Sequence, residues 1–230
     1  WNVSFIGYFS KNDYEMVPNK KEVDFGSLQQ PLKLTVYYNG REDDRYRNMM
    51  GTASVNFKPS KKWGFTLDNF AYQNREREYY TIASGYMLQT FDPVTGDPVT
   101  SYDAGGQIDH ARNDLFVRTL GSQFKARFSP DVNTDYEIGA KFEKERIQDL
   151  TNEWQLVDSI GYSQPRDWSN PGTLDASTLE LKYNIRGNND ISPQRISAYA
   201  QYSKKFYWGT NRMFVNAGVR AQNWSLTRKL

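Results

Sequence analysis

Three stretches of this chain alternate apolar and polar residues, arm against arm across a short polar turn, and that pattern folds as antiparallel β-hairpins. In the first, Ala53, Val55 and Phe57 oppose Thr52, Ser54 and Asn56; after the turn Lys58 to Lys62, Trp63, Phe65 and Leu67 oppose Gly64, Thr66 and Asp68. In the second, Phe116, Leu120, Phe124, Ala126 and Phe128 oppose Thr119, Gly121, Gln123, Lys125 and Arg127. The turn Ser129 to Thr134 follows, and then Tyr136, Ile138, Ala140 and Phe142 oppose Glu137, Gly139, Lys141 and Glu143. In the third, Ile196, Ala198, Ala200 and Tyr202 run up to the turn Trp208 to Asn211, and Met213, Val215, Ala217, Val219 and Ala221 run away from it. Each arm is about 9 to 13 residues long, beyond the ~5 to 6 usual in soluble sheets and near the ~9 to 11 that cross a bilayer at a tilt.

Composition narrows what such hairpins can build. No apolar run reaches the ~18 to 20 residues of a spanning helix, and the mean hydropathy is −0.80. Yet 6 Trp, 16 Tyr and 13 Phe are too many rings for a disordered chain. A transmembrane barrel reconciles the two, because only alternate strand residues meet lipid while lumen and loops stay polar. Phe57, Trp63, Phe128, Tyr136, Phe206, Tyr207 and Trp208 cluster beside the short turns, as an aromatic girdle at one membrane interface requires. The net charge of +2 is spread without a basic stripe, so nucleic acid is not an expected partner. There are no cysteines, which excludes disulfides and thiolate metal sites.

Between the hairpins lie long Asp-, Asn-, Gly-, Ser- and Pro-rich connections, Gln73 to Asp114, Gln148 to Ser177, and one within Lys11 to Met49. Lys33 to Tyr38 and Leu179 to Ile185 read as strand extensions inside them, and Trp1 to Ser10 reads as strand. Short turns at one end and long loops at the other match periplasmic and extracellular ends. The expected fold is all-β: an antiparallel transmembrane β-barrel segment of about 6 to 8 strands. Both ends fall in strand-like sequence, and an incomplete sheet leaves open edges in lipid, so residues 1–230 are expected to be part of a larger barrel.

Arg195 to Trp224 resembles a strand pair of TonB-dependent receptors, through Arg195, Ser197, Tyr199 and Gln201 in one strand and Asn216, Gly218, Arg220, Trp224 and Ser225 in the next. Tyr38 to Asn48 and Met50 to Phe70 are similar to the same family's barrel. The resemblance implies about 22 strands around a plug, with the plug domain and remaining strands outside this chain. It further implies a bacterial outer-membrane location and import of a nutrient such as a glycan or siderophore. The implied partners are the lipid bilayer, the protein's own plug and remaining strands, the TonB energy-coupling complex and a surface lipoprotein.

No enzymatic chemistry is expected. The single histidine, His110, reads as a solvated loop residue and supports neither a triad nor a multi-histidine metal site. Glu143, Glu145 and Asp149 read as lumen-facing acids. Asp92, Asp97, Asp103 and Asp109 lack a calcium-loop spacing, and the repeat of Asp-Pro-Val-Thr from Asp92 reads as two consecutive turns. No cofactor or metal is called for. Candidate ligand-binding residues are the loop aromatics Tyr79, Tyr80, Tyr86, Trp154, Tyr162 and Trp168, whose rings suit a sugar or apolar ligand; the competing role is loop-on-loop packing. Arg127, Lys141, Glu137, Glu143 and Arg220 are expected to meet one another or a plug. The competing architecture is a soluble or surface carbohydrate-binding β-sandwich or adhesin-like interaction protein, in which the apolar faces of the hairpins would face one another across a core.

Overall fold

The computed structural model describes residues 1–158 and 179–229. They form one antiparallel sheet of eight strands: β1 (Asn2–Met16), β2 (Lys21–Ser27), β3 (Gln30–Phe57), β4 (Trp63–Phe91), β5 (Pro98–Asp131), β6 (Thr134–Val157), β7 (Glu180–Trp208) and β8 (Asn211–Lys229). The spatial order is β1-β3-β4-β5-β6-β7-β8, and β2 pairs with β3 farther along the edge that β1 occupies. β1 and β2 therefore act as one edge strand, interrupted around Pro18, which has no N–H to give a ladder. The sheet is open, with β1 and β2 along one margin and β8 along the other.

Register carries the alternation of each hairpin across the whole sheet. Val3, Val55, Leu67, Phe124, Ala140, Ala198 and Ala221 stand side by side on one face. One residue along, Asn56, Thr66, Lys125, Gly139, Tyr199 and Arg220 form the matching row on the other. The three hairpins thus lie in a single layer with their apolar sides pointing the same way, and they do not close on one another as the sandwich arrangement requires.

Exposure is reversed from the order of a soluble sheet. Along β6 the apolar-face residues Tyr136, Ile138, Ala140 and Phe142 are exposed, whereas Glu137, Lys141, Glu143 and Glu145 opposite them are half-buried. Ile138 is 55% exposed and Val219 70%, while the Glu143 side chain keeps only 13%. Rings close the turn end of the apolar face. Trp1 stacks on Phe57 at 4.1 Å, Trp63 meets Phe128 at 4.5 Å, and Phe128 leads through Tyr136 to Tyr202 at 6.3 and 5.1 Å. On β3 the apolar face runs from Phe57 to Met49 before Arg47 and Arg45 replace it. That is roughly 27 Å of extended chain, or on the order of 21 Å in height at a tilt of about 40°.

The polar face is packed through aromatic rings laid on glycine. A Cβ on Gly121 would sit 2.1 Å from the Phe70 ring, and one on Gly139 would sit 2.2 Å from Tyr199. Each ring belongs to the residue directly opposite its glycine, covering backbone that no side chain of its own protects. Of the charges expected to pair here, Lys141 meets Glu143 at 2.7 Å, Arg127 meets Asp135 at 2.8 Å, and Glu137 accepts from the Tyr199 hydroxyl at 2.6 Å. The turns are tight. Gly209 takes φ +60° at the first central position of the β7–β8 turn, as a II′ hairpin demands. Asp131 caps the β5–β6 turn by accepting from the Asn133 N–H at 2.7 Å.

The structure departs from the sequence expectation at the far end. Gln73 to Asp114 is not a long loop: β4 continues to Phe91, β5 resumes at Pro98, and 92–97 alone lies between them. The region Lys11 to Met49 is likewise nearly all strand, and Gln148 to Val157 belongs to β6. Strands of 24 to 34 residues result, because continuing the ladder satisfies backbone groups that a loop would leave to water. The first Asp-Pro-Val-Thr copy is the turn, with Asp92 accepting from the Val94 and Thr95 N–H groups, and the second leads into β5. Backbone donors hold the Asp92 carboxyl below the usual range.

Candidate ligand cleft on the polar face

Above the apolar band hydropathy stops alternating and the sign of charge alternates instead. On β4, Arg75 and Arg77 continue the apolar face while Glu76 and Glu78 continue the polar one; on β3, Arg45 and Arg47 divide in the same way from Glu42 and Asp44. The sheet therefore concentrates cations on one face, with Asp13, Asp43, Asp114 and Asp190 among them, and presents mainly carboxylates on the other. The acids gather where the broken edge strand leaves a gap.

There a cleft of about 600 Å³ is lined by Tyr38 and Glu42 of β3, Glu78, Tyr80 and Tyr86 of β4, and Asp109 of β5, with Pro18 and its neighbours on the edge side. Glu42 stands directly opposite Tyr80 and Ile82 opposite Asp109, so adjacent strands bring rings and carboxylates onto one wall. Asn113 donates to both Glu78, at 3.0 Å, and Glu153, at 2.7 Å. Gln155 donates to Asp109 at 2.6 Å. These bonds fix the acids on the rigid sheet.

The wall is poor at holding negative charge. Burial raises the Glu42 carboxyl above its ordinary range, with Asp44 and Glu78 adding repulsion, and burial raises Asp44 too, with Glu78 and Asp43 adding repulsion. One Asp44 carboxylate oxygen is buried with no hydrogen-bond partner among the described residues. Burial, with Glu153 and Glu78 behind it, pushes the Tyr80 hydroxyl up to about 12, and burial also raises Tyr86. Both phenols stay protonated at neutral pH, so the cleft offers O–H donors, ring faces and acceptor carboxylates together. That set suits a hydroxyl-rich or cationic small molecule.

Among the candidate aromatics the structure separates two from two. Tyr80 and Tyr86 line the cleft. Tyr79 and Trp154 lie on the opposite face: Tyr79 lies under Arg77 and Arg112, at 5.2 and 5.6 Å from its ring centre, and Trp154 stacks on His110 at 4.6 Å. Both make contacts within the sheet, whereas the competing role weighed from the sequence is loop-on-loop packing. Tyr162 and Trp168 lie outside the described residues. His110 is not a solvated loop residue; it sits in β5, half-buried, with Nδ1 3.0 Å from the Thr81 hydroxyl. Burial and then Arg112 lower its pKa, which keeps the ring neutral against Trp154.

No family model matches this chain, and no curated protein matches it.

Tyr38, Glu42 and Glu78 were not singled out from the sequence. For Glu42 and Glu78 the signal is period two in charge sign, unbroken in Arg75 to Glu78 and interrupted at Asp43 in Arg41 to Arg47; no charge pattern marks Tyr38. Among the described residues no group of three or more potential ligands is arranged to hold a metal ion.

Proposed function

We propose that this chain is a section of the wall of an outer-membrane, TonB-dependent receptor that imports a nutrient, a glycan, siderophore or similar molecule, and that it is not itself an enzyme. The observation that carries the membrane part is the reversed exposure of one continuous sheet. Among the described residues an apolar face bordered by rings is left exposed, the polar face is half-buried, and no second layer covers the apolar side. Water would charge heavily for so much bare apolar surface, whereas lipid requires it. Among the described residues no helix is long and apolar enough to cross a membrane, and β-barrels cross with strands.

The open margins at β1 and β8 support a larger barrel, because each edge carries unpaired backbone groups that lipid cannot satisfy. Further strands of the same protein would pair there. The receptor class rests on the resemblance of Arg195 to Trp224. The cleft of Tyr38, Tyr80 and Tyr86 with Glu42, Glu78 and Asp109 would then face the lumen on the external side and take the nutrient.

Detergent dependence and intact mass of the native protein test this reading. A species that needs detergent and weighs several times 26.8 kDa is the expected result. A monodisperse 26.8 kDa protein in plain buffer overturns it and revives the soluble carbohydrate-binding module.

A further inference from the structure

The cations displaced onto the apolar face form a belt at its upper margin. Arg47 stands directly opposite Arg75, Arg45 opposite Arg77, and Arg118 opposite Arg146. Lys11, beside Arg47 on β1, and Lys144, two residues before Arg146 on β6, extend the belt to either side. Like charges directly across strands destabilise a sheet, and here the arrangement recurs on successive strands. The acids within the belt do not neutralise it. Asp114 holds Arg75 at 2.7 Å and Arg77 at 3.2 Å, Asp190 holds Arg146 at 2.9 Å, and Asp13 holds Lys11 at 2.7 Å. Asp13, which Lys11 already holds, is the acid facing Arg45 and Arg47, whereas Arg118 and Lys144 make no ion pair among the described residues, and all four side chains are exposed.

Position decides what the belt can meet. It begins where the apolar face ends, at Met49 on β3 and Leu120 on β5, and it lies at the end away from the short turns and the ring girdle. If the apolar face contacts acyl chains, the next layer outward is the headgroups. Short turns mark the periplasmic side, so these are the headgroups of the external leaflet. Paired guanidinium groups are suited to bind phosphate oxygens in bidentate fashion, and the repulsion between facing arginines that Asp114 and Asp190 relieve in part favours further anions set between them.

We propose that this belt binds the phosphate groups of phosphorylated lipids in the outer leaflet, with Arg45, Arg47, Arg118 and Lys144 supplying charge that the acids among the described residues leave in excess. The proposal rests on the membrane reading above and extends it from acyl chains to headgroups. It predicts an annulus of selected lipid rather than an indifferent solvent.

The test uses the full-length protein in nanodiscs of mixed phosphatidylcholine and phosphatidic acid, with retained lipid counted by native mass spectrometry. The wild type is expected to retain phosphatidic acid preferentially. An R47Q/R118Q/K144Q variant is expected to lose that preference by roughly fivefold for each charge removed, while a K125Q/R195Q/R220Q variant, altered on the polar face, keeps it. Millimolar inorganic phosphate should not compete; competition would assign the belt to free phosphate and overturn the lipid proposal. Equal retention of both lipids by a wild type that enters nanodiscs overturns the belt and leaves the barrel standing. Loss of an associated protein instead of lipid from the triple variant also overturns it. A wild type that stays in plain buffer overturns both readings, whereas normal insertion of the triple variant separates a lost lipid site from misfolding.

Discussion

The turn-end half of this sheet and its distal half are built from the same strands but obey opposite rules. Near the turns, one face is apolar and exposed, rings border it, and glycines on the other face admit flat aromatic side chains. Farther up, both faces are polar, cations gather on one side and most acids on the other, and a cleft opens where the edge strand breaks. The lower half is organised by what it excludes from water, the upper half by where it places charge. A single strand such as β6 crosses from one regime to the other between Phe142 and Lys144.

The largest expected effect tests that boundary directly. A140R places a charge in the middle of the apolar face and should cost about 2 to 4 kcal/mol of folding stability in a bilayer. Q148R, on the same strand and face but above the belt, should stay within about 0.5 kcal/mol. Denaturant unfolding of the full-length protein in vesicles measures both, and equal effects would erase the distinction between the halves. Next comes G139A. Its methyl group would meet the Tyr199 ring, and the strain should cost about 1 to 3 kcal/mol; a double variant with Y199A should cost less than the sum of the two single changes.

W63A probes the ring border. Removing its stacking on Phe65 and Phe128 should cost about 0.5 to 1.5 kcal/mol for each pair lost, read as a lower unfolding midpoint. The smallest effect belongs to the cleft. Because Glu42 and Asp44 have raised pKa values in the fold, the folded state binds their protons more tightly than the unfolded one. Their ionisation therefore destabilises the fold increasingly as pH rises above their ordinary values of 4.5 and 3.8. E42Q/D44N should raise the melting temperature slightly at pH 7, and that gain should fade as the pH drops below about 4. A gain that persists in acid would point to packing instead of charge.

The three hairpins, their faces and the ring border were legible because lipid-like and water-like residues alternate there with period two. Turn positions were legible for a local reason, since Gly209 and Asp131 carry their own turn chemistry. The upper strands were not. Once both faces are polar, hydropathy no longer alternates, so Gln73 to Phe91 and Pro98 to Asp114 read as loop, although alternation survives in the sign of charge. The same blindness hid Glu42 and Glu78, and it let Tyr79 and Tyr80 pass as a pair although one residue of offset sends them to opposite faces.

By itself, then, the sequence determined strand character, face polarity and the placement of rings at the turn end, because each depends on near neighbours along the chain. Only the tertiary structure decided that the hairpins share one layer, that the ladders continue far past the apolar band, and that Tyr80 joins Glu42 and Asp109 while Trp154 joins His110. Those facts depend on register between strands distant in sequence, and in the upper half neither face is apolar enough for local sequence to specify it.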